Sequence, residues 1–177
     1  MLTFYHSPGS CSNGILLLLN EIGADFDTQI VNVALGDQHS DAYRTQNPKG
    51  KVPALKIDDE TVLTEFQAIA SWLAAAHPDT GLWPDDPMAQ ARTLEALDFI
   101  VGSLHMRGFT FVKVPQKFLS DDAGKAALRD HGRAEVGKGL TILSGMMGER
   151  DYLLGHFGLA DAALFYVLDW AEQEGFA

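Results

Sequence analysis

The chain has 177 residues, 46% of them hydrophobic, and a formal net charge of −11. It is long enough for one domain or two small ones, and its negative charge disfavours binding to nucleic acid or to an anionic membrane. A single cysteine excludes an internal disulfide and a zinc site of several thiolates. No apolar run reaches the roughly 18 residues that a membrane span needs, and the N-terminus lacks a signal-peptide pattern, so we expect a cytoplasmic protein.

The N-terminal segment predicts a strand, a helix and a second strand. Residues 2–5 are short and apolar, and a turn containing proline and glycine follows them. Ser10 or Ser12 can cap the next helix, predicted over 13–22. Residues 29–33 alternate with β-branched side chains and predict the second strand.

Two further strands and a helix complete this α/β part. Residues 52–57 and 61–63 predict a hairpin, and residues 65–76 carry apolar side chains at helical spacing. The βαβ order gives parallel pairing and the hairpin gives antiparallel pairing. We therefore expect a small mixed sheet with helices.

The pattern changes after this part. Residues 78–87 are rich in proline, which is typical of a linker. The segments beyond it are helical in pattern, with no convincing strand: 88–111, 123–147 and 159–174. We expect an α/β domain followed by an all-α domain, with these bounds: 1–77, a linker at 78–87, and 88–177.

Cys11 is the first candidate functional residue, because it lies between a predicted strand and the start of a predicted helix. Unpaired backbone N–H groups and the helix dipole favour negative charge there. Such a position lowers the pKa of a thiol, or stabilises a bound thiolate. The alternative is a small, buried and inert cysteine.

Residues 47–53, with the sequence NPKGKVP, form a second candidate. A cis Val52–Pro53 bond would turn the Val52 backbone outward as an edge for pairing with a peptide. An ordinary turn is the alternative. Glu65, shortly after, either binds a ligand ammonium or serves the helix dipole beside a Thr64–Gln67 capping box.

His105 is the third candidate. Asp98, Gly102, His105 and Phe109 share one helix face, and the small glycine leaves room for a ligand beside the imidazole. The alternative is a histidine of the core or surface. The six histidines are scattered, so their spacing supports no metal site.

Together these segments resemble the cytosolic glutathione transferases, most closely the bacterial beta class. The resemblance spans nearly the whole chain in the right order and rests on five segments: FYHSPGSCS at 4–12, NPKGKVPAL at 47–55, LTE with AI at 63–69, SLH with GF at 103–109, and YLLG with LADA at 152–162. It implies a thioredoxin-like N-terminal domain, a helical C-terminal domain, glutathione as co-substrate and a homodimer.

The resemblance also implies roles for individual residues. Cys11 would face the glutathione sulfur, with Ser10 and Tyr5 nearby, and Val52 would pair with the cysteinyl backbone. Four more residues complete the implied binding site: Lys51, Pro53, Glu65 and the Phe66 N–H, the last two at the γ-glutamyl end. His105 would line the cleft, and Asp98 would reach the ligand amine from the partner subunit.

Three departures from the family pattern stand out. Phe66 replaces a common serine, so a hydroxyl contact to the ligand is lost, and Gly158 replaces the usual Ser or Thr helix cap. The chain stops at Ala177, whereas family members usually continue. We expect either a fragment or a partner that covers a face of the last helix, with these candidates: Leu164, Val167 and Leu168.

The expected function is a glutathione-dependent transferase or a thiol-exchange enzyme acting on small electrophiles or mixed disulfides. With cysteine at the site, a mixed disulfide with glutathione favours thiol exchange. One alternative is a zeta-like isomerase, since Ser10-Cys11-Ser12 resembles its motif without the basic residues that follow. The other is a non-catalytic binding or regulatory module.

Overall fold

The computed structural model describes residues 1–176, and its N-terminal part is built on a four-stranded sheet. The strands are β1 (Leu2–His6), β2 (Phe26–Ile30), β3 (Ala54–Lys56) and β4 (Val62–Thr64), in the order β2-β1-β3-β4. β1 pairs with β2 in parallel, and the other two pairs are antiparallel. The predicted mixed sheet is confirmed.

β2 begins and ends three residues earlier than the sequence predicted. It pairs with β1 along its whole length, from Leu2 opposite Phe26 to His6 opposite Ile30. Four of its five side chains are exposed because β2 is an edge strand. The sequence of β2 therefore shows little hydrophobic alternation. The predicted range, 29–33, was instead based on β-branched residues at and just beyond the end of β2.

The two faces of the sheet contribute to separate apolar clusters. Phe4 of β1 and Leu55 of β3 belong to the main core, together with α1 (Ser12–Glu21) and α3 (Phe66–Ala76). The alternate residues of the strands point the other way. They form a smaller cluster with α2 (Asp41–Gln46), composed of Tyr5, Val31, Tyr43 and Ala54.

Every regular element after α3 is helical within the described residues. Helix α4 (Pro87–Asp98) continues into a π-helical stretch (Phe99–Phe109) and a short α5 (Thr110–Lys113). The remaining long helices are α6 (Asp122–Met147) and α7 (Leu159–Gln173). None of the described helices is long and apolar enough to cross a membrane.

Helix α7 packs directly on α1 of the N-terminal part. At the contact, a Cβ added to Gly14 would lie 2.3 Å from the Ala162 carbonyl oxygen, so the two helices approach as closely as a glycine allows. The expectation of an exposed α7 face is mostly wrong. Leu164 and Val167 are buried, and of the three candidates Leu168 alone is exposed.

Asp161 compensates for the missing cap at Gly158. Its carboxylate accepts from the Gly158 N–H at 2.9 Å and from the Leu153 N–H at 2.8 Å. The carboxylate therefore fixes both the start of α7 and the loop before it, which makes a side-chain acceptor at Gly158 dispensable.

Candidate active site

The Cys11 thiol lies at the start of α1, against the turn that precedes β3. Its half-buried Sγ donates to the Val52 carbonyl oxygen at 3.5 Å. The Val52–Pro53 peptide bond is cis, which is one of the two alternatives that the sequence left open, and Pro53 is buried. The fold thus joins two of the predicted site segments.

The electrostatic surroundings of Cys11 differ from the expectation. Burial, with a smaller contribution from the charge of Glu65, raises the pKa of the thiol to about 12, although backbone N–H groups and Lys51 act in the opposite direction. The predicted lowering of this pKa is therefore wrong for the ligand-free protein. Loss of hydration outweighs the helix-terminal donors, and the Val52 carbonyl favours the neutral S–H form.

A buried polar network that the sequence did not reveal fixes the loop around Cys11. The Ser12 hydroxyl lies 2.7 Å from His6 Nδ1 and 2.7 Å from the Ser10 hydroxyl, and it accepts from the Ser7 N–H at 3.1 Å. Burial lowers the pKa of His6, which keeps the imidazole neutral. Ser10 therefore has a partner within the loop.

Tyr5 lies in the smaller apolar cluster, apart from the contacts that surround Cys11. Its ring packs edge-on against Tyr43 at 5.5 Å. The Tyr43 hydroxyl donates to the Lys51 carbonyl oxygen at 2.5 Å, and Asn47 Nδ2 donates to the same oxygen at 2.8 Å. Tyr5 thus packs behind the segment that precedes Val52. Asn47 belongs to the candidate segment 47–53, whereas Tyr43 was not among the predicted site residues.

Glu65 lies at the junction of β4 and α3 with an unusual backbone. Its φ is +72°, a region that costs energy for any residue with a side chain. Its Oε1 lies 2.7 Å from Lys49 Nζ, and both side chains are more than half exposed. An exposed ion pair is weak, so a ligand ammonium can compete with Lys49 for this carboxylate.

The predicted Thr64–Gln67 capping box is wrong. Thr64 Oγ1 accepts instead from Lys49 Nζ at 2.9 Å, and Gln67 Nε2 donates to Asp98 Oδ1 at 3.1 Å. Helix α3 begins without a side-chain cap, so its first N–H groups remain available for an anion. Asp98 is exposed and lies beside this helix start through its contact with Gln67.

Phe66 directs its ring into the core. The ring is buried, packs against Tyr166 at 5.5 Å, and occupies the space beside Gly14. The unusual side chain therefore fills the interface between α1, α3 and α7. What Phe66 offers at the site is its backbone N–H in the first turn of α3.

His105 lies in the π-helical stretch, enclosed by two aromatic residues of α7. Its Nδ1 is 3.2 Å from the Tyr166 hydroxyl, and its ring meets Trp170 edge-on at 4.9 Å. Trp170 Nε1 donates to the Gly9 carbonyl oxygen at 2.7 Å, which ties α7 to the loop before Cys11. Tyr166 and Trp170 were not among the predicted site residues, although their helical i, i+4 spacing places them on one face.

These groups suit an extended, peptide-like ligand. Val52 presents a backbone edge, the start of α3 attracts a carboxylate, and Glu65 attracts an ammonium. Cys11 places a thiol 3.5 Å from the Val52 carbonyl oxygen, where the charge of Glu65 acts on it. No group of three or more His, Cys, Asp or Glu side chains within residues 1–176 is arranged to hold a metal ion.

Comparison with known proteins identifies the family. The sequence model described as "Glutathione S-transferase, N-terminal domain" matches residues 9–76. Glutathione S-transferase GstA of Escherichia coli O157:H7 is 35% identical over 173 residues, which are 96% of this chain and 82% of that protein. The chain belongs to the glutathione S-transferase family.

Two further relatives bear on the site. One is a crystal structure of a glutathione transferase homologue from Sulfitobacter with bound glutathione, which has a TM-score of 0.92 at 28% identity. The match covers 99% of this chain and 84% of the Sulfitobacter chain. A maleylacetoacetate isomerase of Pseudomonas aeruginosa is 28% identical over 181 residues, 100% of this chain and 83% of that protein. Relatives of this chain are thus named for two different reactions.

The environment of His105 predicts a specific loss of stability in acid. Burial, assisted by the charge of Lys51, lowers the pKa of His105 from 6.5 to about 4. As the pH falls below 6.5, the unfolded chain binds a proton that the folded protein excludes, so the stability from neutral His105 is lost between pH 6.5 and pH 4. We expect this residue to lower the free energy of unfolding by about 2 kcal/mol between pH 7 and pH 5.

Urea unfolding at several pH values measures the effect. The free energy of unfolding should depend less on pH in His105→Gln than in the wild type. Replacement of the exposed His156 by glutamine should leave this pH dependence as in the wild type. An unchanged pH dependence in His105→Gln would show that the folded protein accommodates the imidazolium.

Proposed function

We propose that this glutathione S-transferase uses Cys11 for glutathione-dependent thiol exchange on mixed disulfides. The observation that carries the proposal is the Cys11 thiol, held 3.5 Å from the Val52 carbonyl oxygen and within reach of the charge of Glu65, which precedes the uncapped helix α3. A cysteine at this position, rather than a hydroxyl, supports covalent chemistry on sulfur.

In the proposed complex, glutathione lies along three backbone and side-chain elements. Its cysteinyl residue pairs with the Val52 backbone, and its γ-glutamyl carboxylate lies at the start of α3, near the Phe66 N–H. Its ammonium binds Glu65 and displaces Lys49. The bound glutathione of the Sulfitobacter relative supports a ligand of this class.

Ligand binding would also activate the thiol. When the cysteinyl N–H of the ligand donates a hydrogen bond to the Val52 carbonyl oxygen, Cys11 loses the acceptor that favours its S–H form. The ligand ammonium then balances the charge of Glu65, which raises the pKa of Cys11 in the free protein. Both changes lower the pKa of Cys11, so the thiolate forms when substrate is present.

The exchange then has two balanced steps. The Cys11 thiolate attacks the glutathionyl sulfur of the substrate, a new S–S bond forms as the substrate disulfide breaks, and the leaving thiolate takes a proton from water. A second glutathione thiolate then attacks the Cys11 adduct and releases oxidised glutathione. The net reaction consumes one mixed disulfide and one glutathione, and yields one thiol and one disulfide.

Conjugation of glutathione to a small electrophile is a second candidate, since the same site would hold a glutathione thiolate beside His105. The relative named maleylacetoacetate isomerase keeps isomerisation as an alternative to be tested. A homodimer, with Asp98 reaching the partner's ligand, and a cytoplasmic location remain part of the proposal.

Titration calorimetry with glutathione and steady-state assays test the proposal. We expect micromolar to millimolar binding and turnover of the mixed disulfide of glutathione with mercaptoethanol. Maleylacetoacetate and a generic aryl halide serve as competing substrates in parallel assays. A folded protein that neither binds glutathione nor turns over any of the three would establish the non-catalytic alternative.

A further inference from the structure

A buried phenol is hydrogen-bonded to the imidazole of the proposed site. Tyr166 is 0% exposed in the middle of α7, and its hydroxyl lies 3.2 Å from His105 Nδ1. Within residues 1–176, His105 is the one hydrogen-bond partner of this hydroxyl. The position of its proton therefore depends on the histidine.

Two proton arrangements fit the distance, and their energies differ. If Nδ1–H donated to the phenol oxygen, the phenolic O–H would be a buried donor without an acceptor, which costs about 1–3 kcal/mol. If the phenol donates to Nδ1, both groups are satisfied and the ring proton sits on Nε2. The second arrangement is favoured.

The charge states of both groups agree with this arrangement. Burial, together with the charge of Cys11, raises the pKa of Tyr166 well above 10, so the phenol keeps its proton. Burial and the charge of Lys51 lower the pKa of His105 to about 4, so the imidazole is neutral at pH 7. The charge of Cys11 thus acts on Tyr166, and the charge of Lys51 acts on His105.

The ring of His105 is fixed as well as its proton. Tyr166 and Trp170 meet the imidazole edge-on, with interplanar angles of 77° and 88°. Trp170 is in turn anchored to the Gly9 carbonyl oxygen, in the loop before Cys11. Helix α7 therefore sets the imidazole relative to the thiol, and Nε2–H is its free donor.

We propose that Tyr166 is a positioning residue that holds His105 as the neutral tautomer protonated at Nε2, so that His105 donates a hydrogen bond to the ligand sulfur instead of accepting its proton. The assignment of the sulfur as the recipient rests on the proposed function. The tautomer rests on the hydrogen-bond geometry alone.

Nitrogen-15 NMR of protein labelled at histidine tests the tautomer in the ligand-free protein. The wild type should show the shift of a neutral Nε2-protonated ring at pH 7 for His105, assigned by its loss in His105→Gln. Tyr166→Phe keeps the packing ring and removes the hydroxyl, so the two tautomers should mix. Tyr152→Phe, on the exposed ring of Tyr152, is the matched control and should resemble the wild type.

A wild-type spectrum with His105 protonated at Nδ1 would overturn the proposal, whether or not Tyr166→Phe folds. So would an unchanged His105 tautomer in a folded Tyr166→Phe variant.

Kinetics provide the second readout. Tyr166→Phe should lower kcat for mixed-disulfide turnover about tenfold, as expected for a misplaced proton donor, and change KM for glutathione less than about threefold. Equal kcat in Tyr166→Phe and Tyr152→Phe would refute the role of the tautomer in turnover. Failure of the wild type to bind glutathione would instead refute the proposed function and leave the NMR result valid.

Discussion

Replacement of Cys11 by alanine is expected to lower kcat/KM for mixed-disulfide reduction by at least about 100-fold. The protein has no other cysteine, so no second thiol can replace the nucleophile. Affinity for glutathione should change less than about threefold, because the proposed contacts are to the Val52 backbone, the start of α3 and Glu65. Steady-state kinetics and calorimetry on the same preparation measure both quantities.

Cys11→Ser is the matched variant for this prediction. A serine hydroxyl can still donate to the Val52 carbonyl, but it forms no disulfide, so Cys11→Ser should be as inactive in thiol exchange as Cys11→Ala. Activity that survives in Cys11→Ser and not in Cys11→Ala would mean that Cys11 acts only as a hydrogen-bond donor. Activity that survives in both would refute the covalent role.

Replacement of Gly14 by alanine is expected to cause the largest loss of stability. The added Cβ would lie 2.3 Å from the Ala162 carbonyl oxygen and 2.7 Å from a ring carbon of Phe66. Because a backbone oxygen cannot rotate away, α1 and α7 must separate. We expect a loss of about 3 kcal/mol or more, and a fall in Tm of about 6–12 °C.

Gly137→Ala is the control for this substitution. Gly137 lies inside α6, and a Cβ there would have no heavy atom within 4 Å. Alanine should therefore stabilise the helix by about 0.5–1 kcal/mol. Urea unfolding compares the two variants, and a Gly14→Ala protein as stable as Gly137→Ala would show that the contact between α1 and α7 is not tight.

The elements of the fold were predictable because their signals are local. The helical periodicity of α3 and α7 and the proline at the entry to β3 are each contained in a short stretch of sequence. The edge strand β2 was misplaced because its exposed side chains carry no hydrophobic pattern. The order of the family-like segments along the chain then indicated a thioredoxin-like part followed by a helical part.

The chemistry of the site was less predictable because it depends on contacts between distant segments. The pKa of Cys11 depends on burial against Val52, 41 positions away, and the partner of His105 is 61 positions away. The capping box failed for the same reason, since Thr64 and Gln67 bond to Lys49 and Asp98 instead. Local spacing contained no information about these partners.

The covalent adduct between Cys11 and glutathione is the centre of the proposed mechanism, and intact-mass spectrometry tests it most directly. The protein is mixed with a glutathionylated small thiol in the absence of free glutathione, and then glutathione is added. The mechanism predicts one glutathionyl group on the protein, which lies on Cys11 because the chain has no other cysteine, and which disappears when glutathione is added. Steady turnover of the same substrate without any adduct on Cys11 would contradict it.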